Sequence, residues 1–193
     1  MSAKKALLII DMLNDFAMNG SLPVKDMEKV LPKIEDIINS IRKKRYWNII
    51  YLNDSHIEND PEFKYWPRHA VKGTYGAEVI DRLKPSHLDK VIEKKTYNGF
   101  YQTNLEKLLK NLGIKKLFFT GVLTDICVYN TLINAFERGY ECFLVSDATA
   151  TTILPEEEKY WKLSEEKQKF WIDNIRIKKL AEIVDSELIK DVE

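Results

Sequence analysis

Short apolar, β-branched runs alternate along the chain with longer segments whose apolar side chains recur every three or four positions. That alternation predicts a mainly parallel sheet covered by helices on both faces, a three-layer α/β architecture of the doubly wound, Rossmann type. The strand candidates are 6–10, 48–52, 90–93, 116–120, 141–145 and 181–184, giving a six-stranded sheet. Between them, 28–45 places Val30, Ile34, Ile37, Ile38 and Ile41 on one helical stripe. The segment 104–112 does the same with Leu105, Leu108, Leu109 and Leu112 before Gly113, which suits a left-handed cap. A third helix is expected over 125–138, ending at Gly139. A fourth is expected to open at Pro155, where proline fits the first turn and Glu156, Glu157 and Glu158 favour the positive end of the dipole. The segment 162–179 has no clear period.

The longest stretch without regular pattern is 53–90, which holds Pro61, Pro67, Gly73, Gly76 and Pro85 together with all three histidines, His56, His69 and His87. Because it follows a strand, it opens on the edge of the sheet where ligands bind in such folds. At 193 residues, one core and a single domain spanning 1–193 are expected. Lys+Arg and Asp+Glu are equal at 30 each, so no basic surface for nucleic acid is indicated. No apolar run approaches the roughly 20 residues that span a bilayer, and the start passes into a strand without a signal-type core, so a cytoplasmic location without membrane association is expected. In that compartment Cys127 and Cys142 are read as free thiols. Glutamine is nearly absent while Lys, Glu and Ile abound, a bias reported for proteins working at high temperature.

Asp11, Lys94 and Cys127 each stand just past a strand candidate, so an acid, a cation and a thiol converge on one sheet edge. Cys127 follows a turn at Gly121 and falls in the expected first turn of a helix, where the dipole and unpaired N–H groups would lower its pKa and face an oxyanion. Read singly, each residue has a plainer role: Cys127 as a small core side chain, Asp11 as a cap, Lys94 and Lys95 as a solvated charge run.

The strings IIDMLNDF, EKKTYNGF and GVLTDICV, in that order and at these separations, resemble the three signature segments of the isochorismatase-like cysteine hydrolases. That superfamily includes nicotinamidases, isochorismatases and N-carbamoyl amidohydrolases, and the match runs from residue 6 to about 184. The resemblance implies Cys127 as nucleophile, Asp11 as the base that takes the thiol proton and passes it to the leaving nitrogen, and Lys94 as the lysine that orders both. It also implies a cis peptide between Val122 and Leu123, with the Leu123 and Cys127 amides as the oxyanion hole. Asp54 and His56 in NDSH, with His69 in WPRH, resemble the segments through which nicotinamidases hold one divalent metal ion, and an aspartate with two imidazoles suits zinc, iron or manganese. No organic cofactor is implied.

Phe16, Trp66 and Tyr97 match family aromatics that sandwich a flat ring, whereas His87 matches nothing and is expected at the surface. Departures stand at Leu13, Ser55 and Asn98, at the short spacing between Lys94 and Tyr97, and at Glu62, which stands about where nicotinamidases have a further metal-loop histidine. The expected activity is hydrolysis of a small amide C–N bond through a thioester, with nicotinamide the first substrate, N-carbamoyl compounds next and an isochorismatase-type reaction after them. A thiol-sensing or ligand-binding module without turnover is the reading from another class. Family members form dimers or tetramers, and Trp161, Phe170 and Trp171 would serve either an interface in such a homo-oligomer or the core.

Overall fold

In the computed structural model, which describes residues 4–191, six strands form one sheet. They are β1 (Lys4–Ile10), β2 (Trp47–Asp54), β3 (Lys90–Lys94), β4 (Ile114–Val122), β5 (Glu141–Ala150) and β6 (Glu182–Val184). Their order is β3-β2-β1-β4-β5-β6, and every neighbouring pair is parallel. The chain lays strands to one side of β1 and then returns to build outward from its other side. The cleft between the ends of β1 and β4 is therefore a topological switch point, where side chains and ligands can enter the sheet edge.

Alternation along β1 explains the two cores. Leu7 and Ile9 belong to the cluster beneath α1 (Met27–Ile41), with Ile34, Ile37, Ile41, Tyr51 and Phe118. Ala6, Leu8 and Ile10 point to the other face, beneath α2 (Leu105–Leu112) and α3 (Tyr129–Glu137), with Leu105, Leu109, Leu132 and Phe119. A strand buried on both faces reads as a continuous apolar run, as ALLII does.

Helix α1 ends at Ile41, short of the expected 45, where its buried apolar stripe runs out. Helix α2 ends as expected: Gly113 adopts φ 67°, and its amide reaches the Leu109 and Lys110 carbonyls. Pro155 does not open a full helix. It starts a single 3₁₀ turn, Pro155–Glu157, since no apolar stripe follows the glutamates. The unparsed segment folds as α4 (Ser164–Asp173) and α5 (Ile175–Leu180), and α6 (Ser186–Asp191) closes the chain behind β6. Trp171 packs on Tyr129 with ring centroids 5.3 Å apart, whereas Phe170 stays half-exposed. Among the described residues, no helix is long and apolar enough to cross a membrane.

Candidate active site

Three strand ends create the site. Ile10 is in register with Leu52 on one side and Gly121 on the other. Gly121, at φ 104°, has no room for a side chain, because a Cβ there would lie 2.0 Å from the Ile10 carbonyl oxygen. At Asp11 the chain leaves β1 through φ 52°, with its amide donating to the Leu52 carbonyl at 3.0 Å. Asp54 and Lys94, the last residues of β2 and β3, are register partners, so their side chains leave the same face of the sheet.

The three strand ends place one ammonium among three acceptors. Lys94 Nζ lies 2.7 Å from Asp11 Oδ2, 2.5 Å from Asp54 Oδ1 and 3.6 Å from Cys127 Sγ. The other oxygen of Asp11 accepts the Asp54 amide at 2.7 Å. All four side chains are buried. By contrast Lys95 is exposed, so it is Lys94 that enters the site. Lys94, Asp11 and Cys127, more than a hundred residues apart at the extremes, do meet.

Burial raises Asp11 to about 6, with the Asp54 charge adding to the rise and Lys94 opposing it. For Asp54 burial acts upward too, but Lys94 and His56 outweigh it and hold the carboxyl down at about 2. Burial would lower Lys94, yet the carboxylates of Asp11 and Asp54 keep it firmly protonated. The Cys127 thiol goes against the sequence expectation: burial pushes it well above the ordinary range, and Lys94 does not offset the nearby carboxylates. Cys127 sits not in the first turn of an α-helix but in a π-helical turn, Thr124–Val128, that precedes α3. One carboxylate oxygen each of Asp11 and Asp54 lies within 4.8 Å of the thiol sulfur.

The bond between Val122 and Leu123 is cis. Beyond it, the Leu123 carbonyl accepts from both the Ile126 and Val128 amides at 3.1 Å.

Asp54 also faces the histidines. His56 Nε2 and His69 Nε2 each lie 3.9 Å from Asp54 Oδ2, and one ligand atom from each of the three residues falls within 4.8 Å of the others. His69 Nδ1 lies 2.7 Å from the Pro67 carbonyl, which leaves Nε2 directed inward. His56 is wholly buried, and its Nε2 has no hydrogen-bond partner. An orphaned imidazole nitrogen beside a carboxylate and a second imidazole is the donor set that a zinc, iron or manganese ion takes, so these residues fit the ion. Burial would lower His56, but Asp54 and Asp60 outweigh it and raise it to about 9. His69 is lowered, chiefly by burial.

A narrow cavity of about 20 Å³ lies above the thiol, lined by Phe16, Trp66, Tyr97, Leu123 and Cys127 among others. Trp66 Nε1 donates to the Tyr97 hydroxyl at 2.8 Å, tying the long loop to the segment after β3. The three expected aromatics therefore share one cavity with the acid and the thiol, and His87 is exposed as expected. Sequence reasoning gave no role to Leu22 and Ile126, which also line the pocket, or to Glu62, a half-buried carboxyl raised to about 7 by burial and then by Asp54. It also passed over Asp15, whose Oδ2 accepts the Ala70 amide at 2.7 Å and fixes the loop beside His69. The positions of Asp15 inside IIDMLNDF and of Ile126 inside GVLTDICV were the available signals; for Leu22 there was none.

A family profile described as the isochorismatase domain matches residues 5–187. The chain is 34% identical over 175 residues to an uncharacterised isochorismatase family protein of Bacillus subtilis, covering 83% of this chain and 93% of that protein. Among solved structures it resembles N-carbamoylsarcosine amidase from Thermoplasma acidophilum, at 35% identity and TM-score 0.80, covering 95% of this chain and 97% of the other. It also resembles the pyrazinamidase of Pyrococcus horikoshii solved in complex with zinc, at 32% identity and TM-score 0.76, covering 94% and 99%. With its fold, its sheet edge and its signature strings in agreement, the chain belongs to the isochorismatase family of hydrolases.

Proposed function

We propose that the protein is a cysteine-dependent amidohydrolase acting on a small, flat, uncharged amide of the nicotinamide type. The observation that carries the reading is the placement of Lys94 Nζ within reach of Asp11 Oδ2 and 3.6 Å from Cys127 Sγ, with Asp11 and Cys127 lining the same cavity as Phe16, Trp66 and Tyr97. Asp11 takes the proton from Cys127 as sulfur attacks the carbonyl carbon, and the Leu123 and Cys127 amides receive the developing oxyanion. When the C–N bond breaks, Asp11 returns that proton to the departing ammonia, leaving an acyl group on sulfur. Water, deprotonated by Asp11, then cleaves the thioester to the acid and the free thiol. Lys94 stays charged throughout and orients Asp11.

Asp54, His56 and His69 would hold a divalent ion, which when bound supplies a Lewis-acid contact for a ring nitrogen or a water. Kinship with a pyrazinamidase solved in complex with zinc supports a divalent ion in this protein. The pocket lining favours a neutral ring amide over carboxylate-bearing carbamoyl compounds. No lysine or arginine lines it among the described residues, while Asp11, Asp54 and Glu62 do. Kinship with N-carbamoylsarcosine amidase keeps the second class in the assay. Incubation with nicotinamide, pyrazinamide and N-carbamoyl amino acids, with ammonia and the acid product measured, tests the reading. Turnover of nicotinamide at the highest kcat/KM is expected; a folded protein that releases ammonia from none of them sinks it.

A further inference from the structure

The catalytic scheme leaves one buried ion pair without a task. Lys167 of α4 is 1% exposed. Its Nζ lies 2.8 Å from Asp125 Oδ2 and 2.6 Å from Glu157 Oε2, and donates to the Thr152 carbonyl at 2.9 Å. Asp125 belongs to the string GVLTDICV and stands two residues before Cys127. Its second oxygen accepts from the Thr151 hydroxyl, just past β5. Both oxygens of the carboxylate are therefore fixed, by two different parts of the chain.

A buried ammonium is costly to desolvate, and an apolar side chain of similar volume would fill the place without that cost. Such a pair earns attention when the element it holds has a competing geometry. The π turn at Thr124–Val128 is such an element, because π-helical hydrogen bonding is rare and is found mostly as single turns at functional sites. Relaxing it to α-helical register would change the rotation per residue along Thr124–Val128 and so re-aim Cys127, which lies within the turn. That change would shift Cys127 Sγ relative to Lys94 and Asp11.

We propose that Lys167 is a positioning residue for Cys127: by gripping Asp125 it locks the π turn that aims the thiol and its neighbouring amides. The proposal rests on the reading of Cys127 as nucleophile, and it gives the late segment, far from the substrate, a direct hold on the reacting sulfur.

The test compares wild type, Lys167→Met, Lys167→Arg, Asp125→Asn and the double variant Lys167→Met/Asp125→Asn. Three quantities are read: Tm, kcat and KM for ammonia release, and the rate of iodoacetamide labelling at Cys127, followed by mass spectrometry of its peptide. Loss of the pair is expected to lower kcat at least tenfold in Lys167→Met with KM within threefold, and to slow labelling by a similar factor. Lys167→Arg should recover part of both. In the double variant, removing the stranded carboxylate should raise Tm again while kcat and labelling stay low. Labelling needs no substrate, so it decides the proposal even if no amide is turned over. Unchanged labelling in folded Lys167→Met overturns it, as does recovery of labelling in step with Tm. If Lys167→Met does not fold, Asp125→Asn alone carries the same comparison.

Discussion

Asp11 and Asp54 share one ammonium: Lys94 Nζ bridges Asp11 Oδ2 at 2.7 Å and Asp54 Oδ1 at 2.5 Å, and the backbone of Asp54 donates to the far oxygen of Asp11. Two buried carboxylates on a single cation cannot be equally well compensated. Asp54, which also faces His56, takes the larger share and is held at about 2, while Asp11 is left at about 6. The asymmetry separates one carboxylate that stays ionised from one able to accept and return a proton.

Activity should follow the ionisation of Asp11. With its folded value raised to about 6 from the ordinary 3.8, kcat/KM is expected to fall about tenfold per pH unit below pH 6. The stability contribution runs the other way. The protonated form is favoured by folding, so the stabilisation from Asp11 is complete below 3.8 and is lost as pH rises through 6. A profile of kcat/KM from pH 4.5 to 8 checks the first point, and Asp11→Asn should abolish turnover across that range. A flat profile between pH 5 and 7 would contradict the assignment.

Removing Lys94 should damage both catalysis and folding. Lys94→Met leaves two buried carboxylates without their cation, a change expected to cost about 3–5 kcal/mol in urea denaturation and to eliminate detectable turnover. Adding Asp54→Asn to that background should restore part of the stability and none of the activity.

Cys127→Ala should separate the two properties. The thiol is a small buried group that accepts weakly from Lys94, so stability is expected to change by about 1 kcal/mol or less while ammonia release falls by at least about a thousandfold. Cys142, pushed up to about 12 by burial, should resist iodoacetamide in the native protein and react only after unfolding.

Purified protein is expected to carry close to one zinc, iron or manganese ion per chain by elemental analysis. His56→Ala and His69→Ala should each lose it, because each removes one of three ligand atoms that fall within 4.8 Å of one another. Retention of a full equivalent in both variants would place the ion elsewhere.

Gly121→Ala should be severe for a small change. The added methyl would meet the Ile10 carbonyl at 2.0 Å from a backbone at φ 104°, and backbone strain alone is worth about 1–3 kcal/mol. Since Asp11 follows Ile10, turnover should drop along with Tm.

The sequence alone determined the sheet, its two covering layers and which acid, amine and thiol meet at its edge. The continuous apolar run ALLII marks a strand buried on both faces, and the stripe of Val30, Ile34, Ile37 and Ile41 records which helix face is buried, local properties that survive without coordinates. The three signature strings likewise named Asp11, Lys94 and Cys127 with Phe16 and Tyr97, while NDSH and WPRH named Asp54, His56, Trp66 and His69. Tertiary structure decided what depends on neighbours distant in the chain. Burial beside two carboxylates raised the Cys127 thiol that helix position alone was expected to lower, and the turn beneath it proved π rather than α. Segment 162–179 was illegible because α4 buries a lysine rather than an apolar stripe, and the Asp125 carboxylate that makes this burial tolerable lies 42 positions earlier in the chain. Periodicity reports the sign of burial at each position; pKa values and ion pairing depend on which charges the fold brings together.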